Sequence, residues 1–333
     1  MGAELFELLP LLPTKYGTAM KENRLMEHAD RIVDIVMDLG RQPFLYQTEG
    51  TRRLVFNDST NVSQDDLDHV VDAVEKDRTQ SSTSAGNRAG IDGQLHRISF
   101  LRNRNQEVIG VTIRIGRAVH GIAEVLEDVK HSSVLFLGPP GSGKTTILRD
   151  FTRMVSEERH TCIVDTSNEI GGEGDVPHAS IGNARRMMVP SLKSQADVMV
   201  ECLQNHTIRT MVIDEIGRKA EVHAANTIKN RGVQLVASAH GSFEELIRNK
   251  ELNSLLGNVM AVTLSDRMSK KQAMGKLQRR RIEPPVFDTI VELSVPRKGV
   301  SRHDQFASFE IFQMPSTGNC NPKPTSMKAA NCL

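Results

Sequence analysis

Four short apolar runs in the second half of the chain dominate its hydrophobic pattern. They occupy residues 134–137, 162–165, 210–213 and 233–238, and each run is almost free of polar side chains. Such runs are typical of parallel strands covered on both faces, because neither face of the sheet then meets water. The segments between them carry helical periodicity. From about residue 131 the pattern therefore predicts a βαβαβαβ series built on a parallel sheet.

The first part of the chain has a mixed pattern. Residues 21–39 place apolar side chains at helical spacing, and residues 54–56 form a short strand-like run. Ser63 and Asp66 resemble an N-terminal capping box ahead of another helix. Further elements expected here are strands over 95–101 and 108–115, a helix over 118–130, and a polar Gly/Ser-rich loop over 79–93. We expect a smaller α+β domain over residues 1–128.

The C-terminal part begins with a basic segment. Residues 267–281 hold seven Lys or Arg side chains in fifteen positions, which predicts either a solvated basic helix or a contact with nucleic-acid phosphates or an acidic partner. Alternating strands follow at 286–294 and 307–313, within a segment ending at 314. Residues 315–333 have almost no large apolar side chains, and we expect them to be disordered.

Composition excludes several classes of protein. The chain is 38% hydrophobic and 25% charged with a formal net charge of +1, as in soluble globular proteins, so no global field recruits nucleic acid or membrane. No apolar run approaches the roughly 18–20 residues of a transmembrane helix, and no secretory or transit signal is visible. The four cysteines form no C-x-x-C pair, which favours free thiols.

The loop after the first apolar run carries the clearest motif. Residues 138–146 read GPPGSGKTT and match G-x-x-x-x-G-K-[ST], with a strand before the match and a helix after it. Such a loop turns consecutive N–H groups inward around phosphates, at the positive end of a helix. We therefore predict that a nucleoside triphosphate is bound by Gly138, Pro139, Pro140, Gly141, Ser142, Gly143, Lys144, Thr145 and Thr146. Lys144 is expected to reach the β- and γ-phosphates, and Thr145 to ligate Mg²⁺.

Acidic and polar residues follow the other predicted strands. Asp214 and Glu215 end the run at 210–213, where Asp214 is expected to bind Mg²⁺ and Glu215 to polarise the attacking water. Glu169, after the run at 162–165, is placed to assist Glu215. Ser238 and His240, at the end of the last run, are candidates for contact with the γ-phosphate or the water. Solvated loop residues are the alternative interpretation for Glu169 and His240.

Arginines are needed because phosphoryl transfer spreads negative charge over the γ-oxygens, and an arginine finger contributes ~10³–10⁵ in rate. The better candidates are Arg185, Arg186 and Arg231, and Arg117 is another. Each could equally be a surface arginine in an ion pair. A finger that acts from a neighbouring subunit requires an oligomer.

Several motifs occur together in a characteristic order. Besides GPPGSGKTT, the chain contains VDTSNEIGGEGDVPH, IGNARRMMVP, VIDEIGRKAE and RGVQLVASAHG. This order and spacing resemble the stage III sporulation protein AA family, and more closely its branch in cyanobacteria and plastids, first catalogued as a hypothetical chloroplast reading frame. The resemblance spans about residues 4–313.

The resemblance implies an α/β fold with a RecA/AAA+-like P-loop NTPase core over residues 129–266, preceded by the smaller α+β domain. It implies a relation to type II/IV secretion ATPases, which usually work as rings, so a homo-oligomer such as a hexamer is expected. By the same likeness Glu169 matches an acidic-box glutamate, Asp214 and Glu215 the magnesium and water-activating pair, and His240 a histidine-box position. A plastid setting is implied by the family alone.

The motifs favour an ATPase that needs ATP and Mg²⁺ and drives conformational change in an assembly. A nucleoside monophosphate kinase also uses GPPGSGK, but such a kinase lacks a water-activating acid beside the magnesium acid. A GTPase is disfavoured because no Asn-Lys-x-Asp motif appears. A scaffold that binds ATP with little hydrolysis is the alternative from a different class.

Overall fold

The structure is a computed structural model that describes residues 3–48, 50–56, 60–76, 87–263, 277–294, 306–314 and 326–331. The chain divides into two compact units. Unit 1 comprises Met1–Ala118 together with Gly171–Ala179, and unit 2 comprises Val119–Ile170 together with Ser180–Leu333. Unit 1 is therefore discontinuous, because nine residues from the middle of the chain belong to it.

Unit 1 contains one antiparallel sheet of six strands. In chain order its helices are α1 Ala3–Leu8, α2 Thr14–Glu22 and α3 Gln64–Lys76, and its strands are β1 Ile32–Asp38, β2 Phe44–Gln47, β3 Arg52–Leu54, β4 Arg88–Ala89, β5 Arg97–Arg102 and β6 Val108–Arg114. The strand order is β3-β2-β1-β6-β5-β4. The inserted segment packs within this unit, since Glu173 forms an ion pair with Arg97 at 2.9 Å. A Cβ atom at Gly90 would lie 2.3 Å from that of Glu173, so only glycine fits there.

The predicted helix over residues 21–39 is wrong. Residues 25–31 form a 3-10 helix and Ile32–Asp38 form strand β1, which pairs with β2 and β6. The register shifts between Ile32 and Asp34, so the buried positions Ile32 and Ile35 are three residues apart and imitate a helical stripe. The β-branched residues of this stretch favour the strand.

The helix after Ser63 is confirmed, together with its capping box. The backbone N–H of Ser63 donates to Asp66 at 2.9 Å, and the N–H of Asp66 donates to the Ser63 hydroxyl at 3.3 Å. The strands predicted over 95–101 and 108–115 are confirmed as β5 and β6, whereas two other predictions for this part are less accurate. The strand over 54–56 lies at 52–54, and residues 118–130 contain a 3-10 helix over 124–129 in place of an α-helix. Of the loop predicted over 79–93, residues 79–86 lie outside the described residues, and Arg88–Ala89 form strand β4.

Unit 2 is built on a mixed sheet of eight strands. Its helices are α4 Lys144–Ser156, α5 Gln195–Asn205, α6 Lys219–Asn230 and α7 Phe243–Arg248, and its strands are β7 Val134–Gly138, β8 Thr161–Asp165, β9 Arg185–Met188, β10 Thr210–Ile213, β11 Gln234–His240, β12 Val259–Thr263, β13 Leu277–Arg281, β14 Thr289–Leu293, β15 Phe306–Gln313 and β16 Ser326–Asn331. The sheet order is β16-β15-β14-β7-β11-β10-β8-β9, with β12 and β13 forming a separate pair.

The central strands are parallel, and both faces of the sheet are covered. Six consecutive strands, from β14 through β9, are mutually parallel, whereas β15 and β16 extend one edge of the sheet through antiparallel pairings. Alternate residues enter different hydrophobic cores: Leu135 and Met211 belong to one core, and Phe136 and Val212 to the other. The predicted parallel α/β core and its four strands are confirmed. Strand β9 was not predicted, because its sequence Arg-Arg-Met-Met lacks an apolar run.

Two C-terminal predictions require correction. The basic helix is wrong where the structure describes it, since residues 277–281 form strand β13, which pairs with β12; residues 264–276 lie outside the described residues. Within the tail expected to be disordered, residues 326–331 form strand β16 against β15. The rest of that tail, which includes Cys320 and Cys332, lies outside the described residues. Cys162 and Cys202 are buried free thiols. No helix in the described part of the chain is long and apolar enough to cross a membrane.

Candidate functional site

The glycine-rich loop connects β7 to α4. Gly141 and Gly143 adopt left-handed backbone conformations, with φ of 76° and 89°, and Gly143 is the N-cap of α4. A side chain would strain the backbone at both positions. The loop therefore presents its N–H groups at the start of α4, with Lys144, Thr145 and Thr146 in the first turn of that helix.

The loop fits a bound phosphate. The Ser142 hydroxyl is buried and has no hydrogen-bond partner among the described residues, so this polar atom of the loop can bond to a ligand. The ammonium of Lys144 donates to the carbonyl oxygens of Gly138 at 2.7 Å and Pro139 at 3.0 Å, which holds the cation over the loop. Burial lowers the pKa of Lys144, while the charges of Glu215 and Glu169 act in the opposite direction. A triphosphate would supply the anionic charge that this buried cation needs.

Asp214 lies at the carboxyl end of β10 and is buried. Its carboxylate accepts a hydrogen bond from the N–H of Ser167 at 3.2 Å. Burial, and then the nearby charges of Asp165 and Glu169, raise the pKa of Asp214 to about 7. A divalent cation would reverse this shift by favouring the charged form. The described residues contain no cluster of three or more His, Cys, Asp or Glu side chains that could hold a metal ion.

His240 contacts two other predicted site residues, Lys144 of the glycine-rich loop and Glu215. Its Nδ1 lies 3.3 Å from the Lys144 Nζ atom, and its Nε2 lies 3.3 Å from the Glu215 carboxylate. The backbone carbonyl of Glu215 accepts a hydrogen bond from the buried side chain of Gln195 at 2.6 Å. Three predicted site residues therefore form a continuous chain of contacts across the ends of β7, β10 and β11, with Gln195 as an anchor that sequence reasoning missed.

Glu169 also faces the glycine-rich loop. Its carboxylate lies 3.4 Å from the Thr145 hydroxyl, the expected magnesium ligand. The buried Arg149 of α4 holds the backbone behind it, because its guanidinium donates to the carbonyl oxygens of Glu169 and, at 2.8 Å, Ile170. Burial lowers the pKa of Arg149, and three nearby carboxylates oppose that shift. Arg149 was not predicted as a site residue either. A charged residue between Leu148 and Phe151 on the apolar face of a helix nevertheless indicates a buried side chain with a specific partner.

Ser238 lies near the end of β11 and contacts the end of β10. Its hydroxyl donates to the backbone carbonyl of Asp214 at 2.5 Å, and its own carbonyl accepts from the N–H of Ile216. The side chain thus joins β11 to the end of β10. Ser238 therefore positions the backbone of Asp214 and Glu215 at the end of β10.

Three of the arginine candidates lie away from the glycine-rich loop of the same chain. Arg185 and Arg186 pair with Cys162 and Ile163, near the amino end of β8, whereas the loop lies at the carboxyl ends of the strands. Arg231 precedes the amino end of β11, whose seven residues separate it from His240 by ~20 Å. In unit 1, the Arg117 guanidinium donates to the carbonyl oxygens of Ala29 and Ile32. Any finger role for the first three therefore requires a neighbouring subunit.

The fold and this arrangement define the class of protein: unit 2 has a P-loop ATPase-like fold. The pilus retraction motor PilT, solved with bound ADP, superimposes with a TM-score of 0.59 over 89% of this chain and 83% of that one, at 13% identity. At such low identity the likeness establishes the fold alone.

Sequence comparison gives the family. Residues 62–276 match the family described as Sporulation stage III, protein AA, and the chain belongs to this family, which confirms the resemblance. Protein SEEDLING PLASTID DEVELOPMENT 1 of Arabidopsis thaliana is 44% identical over 87% of this chain and 41% of its own length. The uncharacterized protein ycf45 of Porphyra purpurea is 40% identical over 87% of this chain and 50% of its own length. The chain therefore spans about half the length of these relatives or less.

Proposed function

We propose that this protein binds ATP with Mg²⁺ and hydrolyses it to drive conformational change in an oligomeric, ring-forming assembly. The observation that carries the proposal is the contact chain from Lys144 through His240 to Glu215. It brings a phosphate-binding cation and a candidate water-activating carboxylate to one edge of the sheet. Hydrolysis requires both groups close to the γ-phosphate.

Each residue has a distinct role in this proposal. The N–H groups of residues 138–146 and the Lys144 ammonium hold the phosphates. The Thr145 hydroxyl and the Asp214 carboxylate would hold Mg²⁺. Glu215 orients and polarises the attacking water, and Glu169, which contacts Thr145, assists it. When bound, Mg²⁺ supplies charge neutralisation between the β- and γ-phosphates.

The assembly and the setting are inferred with the activity. The distances of Arg185, Arg186 and Arg231 from the loop of their own chain favour a ring in which one of them completes a neighbour's site. The name of the Arabidopsis relative places it in plastid development, and we propose that this chain also acts in a plastid. A nucleic-acid contact through residues 267–281 stays a proposal, supported by the exposed Arg280 of β13, whereas Arg281 of the same strand is buried and donates to the carbonyl oxygen of Leu256.

The experiment is phosphate release by the purified protein with ATP and Mg²⁺. We expect the wild type to release phosphate and the Glu215→Gln variant to lose at least ~100-fold in rate while still binding ATP. Glu201→Gln is the matched control, because this exposed glutamate of α5 lies outside the site and should leave the rate unchanged. A wild-type rate equal to that of Glu215→Gln, with single-stranded DNA, RNA and membranes each added in turn, refutes hydrolysis and supports the scaffold alternative.

The same assay separates the kinase alternative. If AMP is added, a nucleoside monophosphate kinase converts it to ADP without releasing phosphate, whereas an ATPase releases phosphate whether or not AMP is present. Dependence of ATP consumption on AMP would overturn the proposal.

A further inference from the structure

A cavity in unit 2 lies between α6 and the segment that follows α7. It has a volume of about 450 Å³ and is lined by Lys219, Val222, His223, Asn226, Lys250, Glu251, Ser254 and Asn258. No residue of the glycine-rich loop lines it. The volume is within the ~300–1,000 Å³ typical of small-molecule sites. This cavity is therefore separate from the proposed nucleotide site.

One wall of the cavity is a continuous face of α6. Its four lining residues follow the spacing i, i+3, i+4, i+7, so their side chains form one stripe along the helix: Lys219, Val222, His223 and Asn226. Val222 is buried and anchors this wall in the core. The opposite wall carries Lys250, Glu251 and Ser254. Lys250 and Glu251 lie in the turn after α7, and Ser254 lies in the 3-10 helix Asn253–Leu256, so both walls present polar groups to the same space.

The basic groups of the cavity have no anionic partner. Within the described ranges, the side chains of Lys219, His223 and Lys250 make no ion pair and no hydrogen bond. Two other lysines of unit 2 are paired with carboxylates: Lys229 contacts Asp288 at 2.8 Å, and Lys130 contacts Glu158 at 2.7 Å. Two unpaired ammonium groups that face one concave space attract a multiply charged anion.

Glu251 is the one carboxylate among the residues that line the cavity, and it limits the kinds of ligand that can bind there. Glu251 would repel a bare anion, but its oxygens accept hydrogen bonds from hydroxyl groups. We infer that this cavity binds a phosphorylated, hydroxyl-bearing small molecule. The lysines would hold its phosphate, and Glu251 would accept hydrogen bonds from its hydroxyls. A sugar phosphate and a nucleoside monophosphate share this chemistry.

Calorimetric titration tests the inference with ribose 5-phosphate, glucose 6-phosphate, AMP and inorganic phosphate as probes. We expect saturable binding of at least one organic phosphate to the wild type and equally to Lys144→Ala, in which the glycine-rich loop is disabled. Lys219→Ala and Lys250→Ala should each weaken it about tenfold, whereas the exposed Lys21→Ala of unit 1 should not. Thermal unfolding of each variant verifies that it is folded.

The Glu251→Gln variant distinguishes a specific binding site from nonspecific electrostatic attraction of anions to the lysines. This variant should bind inorganic phosphate more tightly but lose at least ~fivefold of its preference for the organic phosphate over inorganic phosphate. The inference is overturned if no probe binds saturably, if Lys144→Ala abolishes the binding, if Lys219→Ala and Lys250→Ala leave it unchanged, or if the preference survives in Glu251→Gln. Binding of single-stranded oligonucleotides alone through these lysines would also overturn it.

Discussion

The Nε2 atom of His240 lies 3.3 Å from the Glu215 carboxylate, while Nδ1 of the same ring lies 3.3 Å from the Lys144 ammonium. An ammonium group can only donate, so Nδ1 acts as the acceptor, and the ring proton of a neutral imidazole is on Nε2, directed at Glu215. His240 therefore fixes the orientation of Glu215 relative to the cation.

The first prediction follows from this geometry. Replacing His240 with Ala should lower the rate of ATP hydrolysis about 10- to 100-fold, because Glu215 loses its orienting donor, while the Kd for ATP changes less than ~threefold. His240→Gln, whose amide N–H can still reach Glu215, should retain more activity than His240→Ala. Phosphate release and ATP-analogue binding are measured in parallel. Equal rates for His240→Ala and the wild type would show that His240 takes no part.

The second prediction concerns Lys144. Its replacement with Ala should weaken ATP binding at least ~100-fold, because the charge that neutralises the phosphates is removed and alanine supplies no substitute. Binding of a fluorescent ATP analogue measures this, with Lys21→Ala as the control. Undiminished binding would place the triphosphate elsewhere.

The third prediction concerns Arg149 behind the site. Arg149→Met keeps the volume but leaves the carbonyl oxygens of Glu169 and Ile170 without their donor, so unfolding free energy should fall by about 2–4 kcal/mol. Arg149→Lys should restore only part of this, since an ammonium lacks the forked geometry. Urea denaturation measures the loss, and Arg209→Met at an exposed position should change stability by less than ~0.5 kcal/mol. A small effect at Arg149 would mean that the guanidinium is replaceable.

The fourth prediction is a pH dependence in unit 1. His96 is buried, and its Nδ1 accepts the N–H of Gly116 at 3.2 Å. Burial lowers the pKa of His96 to about 4; Glu4 opposes this shift, and Arg117 and His178 reinforce it. Glu7 also lies 3.8 Å from Nε2.

Between pH 6.5 and about 4 the unfolded chain thus binds a proton that the folded chain does not bind. Stability therefore decreases as the pH falls through this window, by up to about 3 kcal/mol. Urea denaturation at several pH values should show this decrease in the wild type and a smaller one in His96→Asn, which does not titrate. Parallel curves for the two proteins would contradict the assignment.

The fifth prediction concerns completion of the site by a neighbour. A mixture of Glu215→Gln subunits with subunits lacking the finger should regain activity, because some interfaces then combine an intact Glu215 with an intact arginine. The finger variants to try are Arg185→Ala, Arg186→Ala and Arg231→Ala. Light scattering with an ATP analogue and Mg²⁺ should show a species larger than a monomer. A strict monomer, or no recovery in any mixture, would exclude a finger supplied by a neighbour.

The strands of the central sheet could be predicted because each one is encoded by a short, contiguous stretch of the sequence. The runs at 134–137, 162–165, 210–213 and 233–238 are buried on both faces, so each is apolar without interruption, and the structure has a strand at each. The loop at 138–143 was equally accessible, since its backbone geometry demands glycine at fixed positions.

The rest depended on contacts between residues distant in sequence. The bulge in β1 gave a strand the spacing of a helix. The hydroxyl of Ser238 donates to Asp214, 24 positions away, and no pattern around Ser238 indicates that partner. Gln195 likewise reaches the carbonyl of Glu215 from another helix. Such roles are fixed by tertiary structure, and propensity and periodicity do not report them.

The backbone passes between the two units three times, after residues 118, 170 and 179. If the chain were divided at the first of these junctions, neither fragment would therefore correspond to a complete folding unit. The shorter product would lack Glu173, the ion-pair partner of Arg97, and the longer one would carry nine residues severed from their native surroundings. Dissection of this protein into independently expressed modules should accordingly produce poorly soluble fragments unless residues 171–179 are supplied to the shorter one.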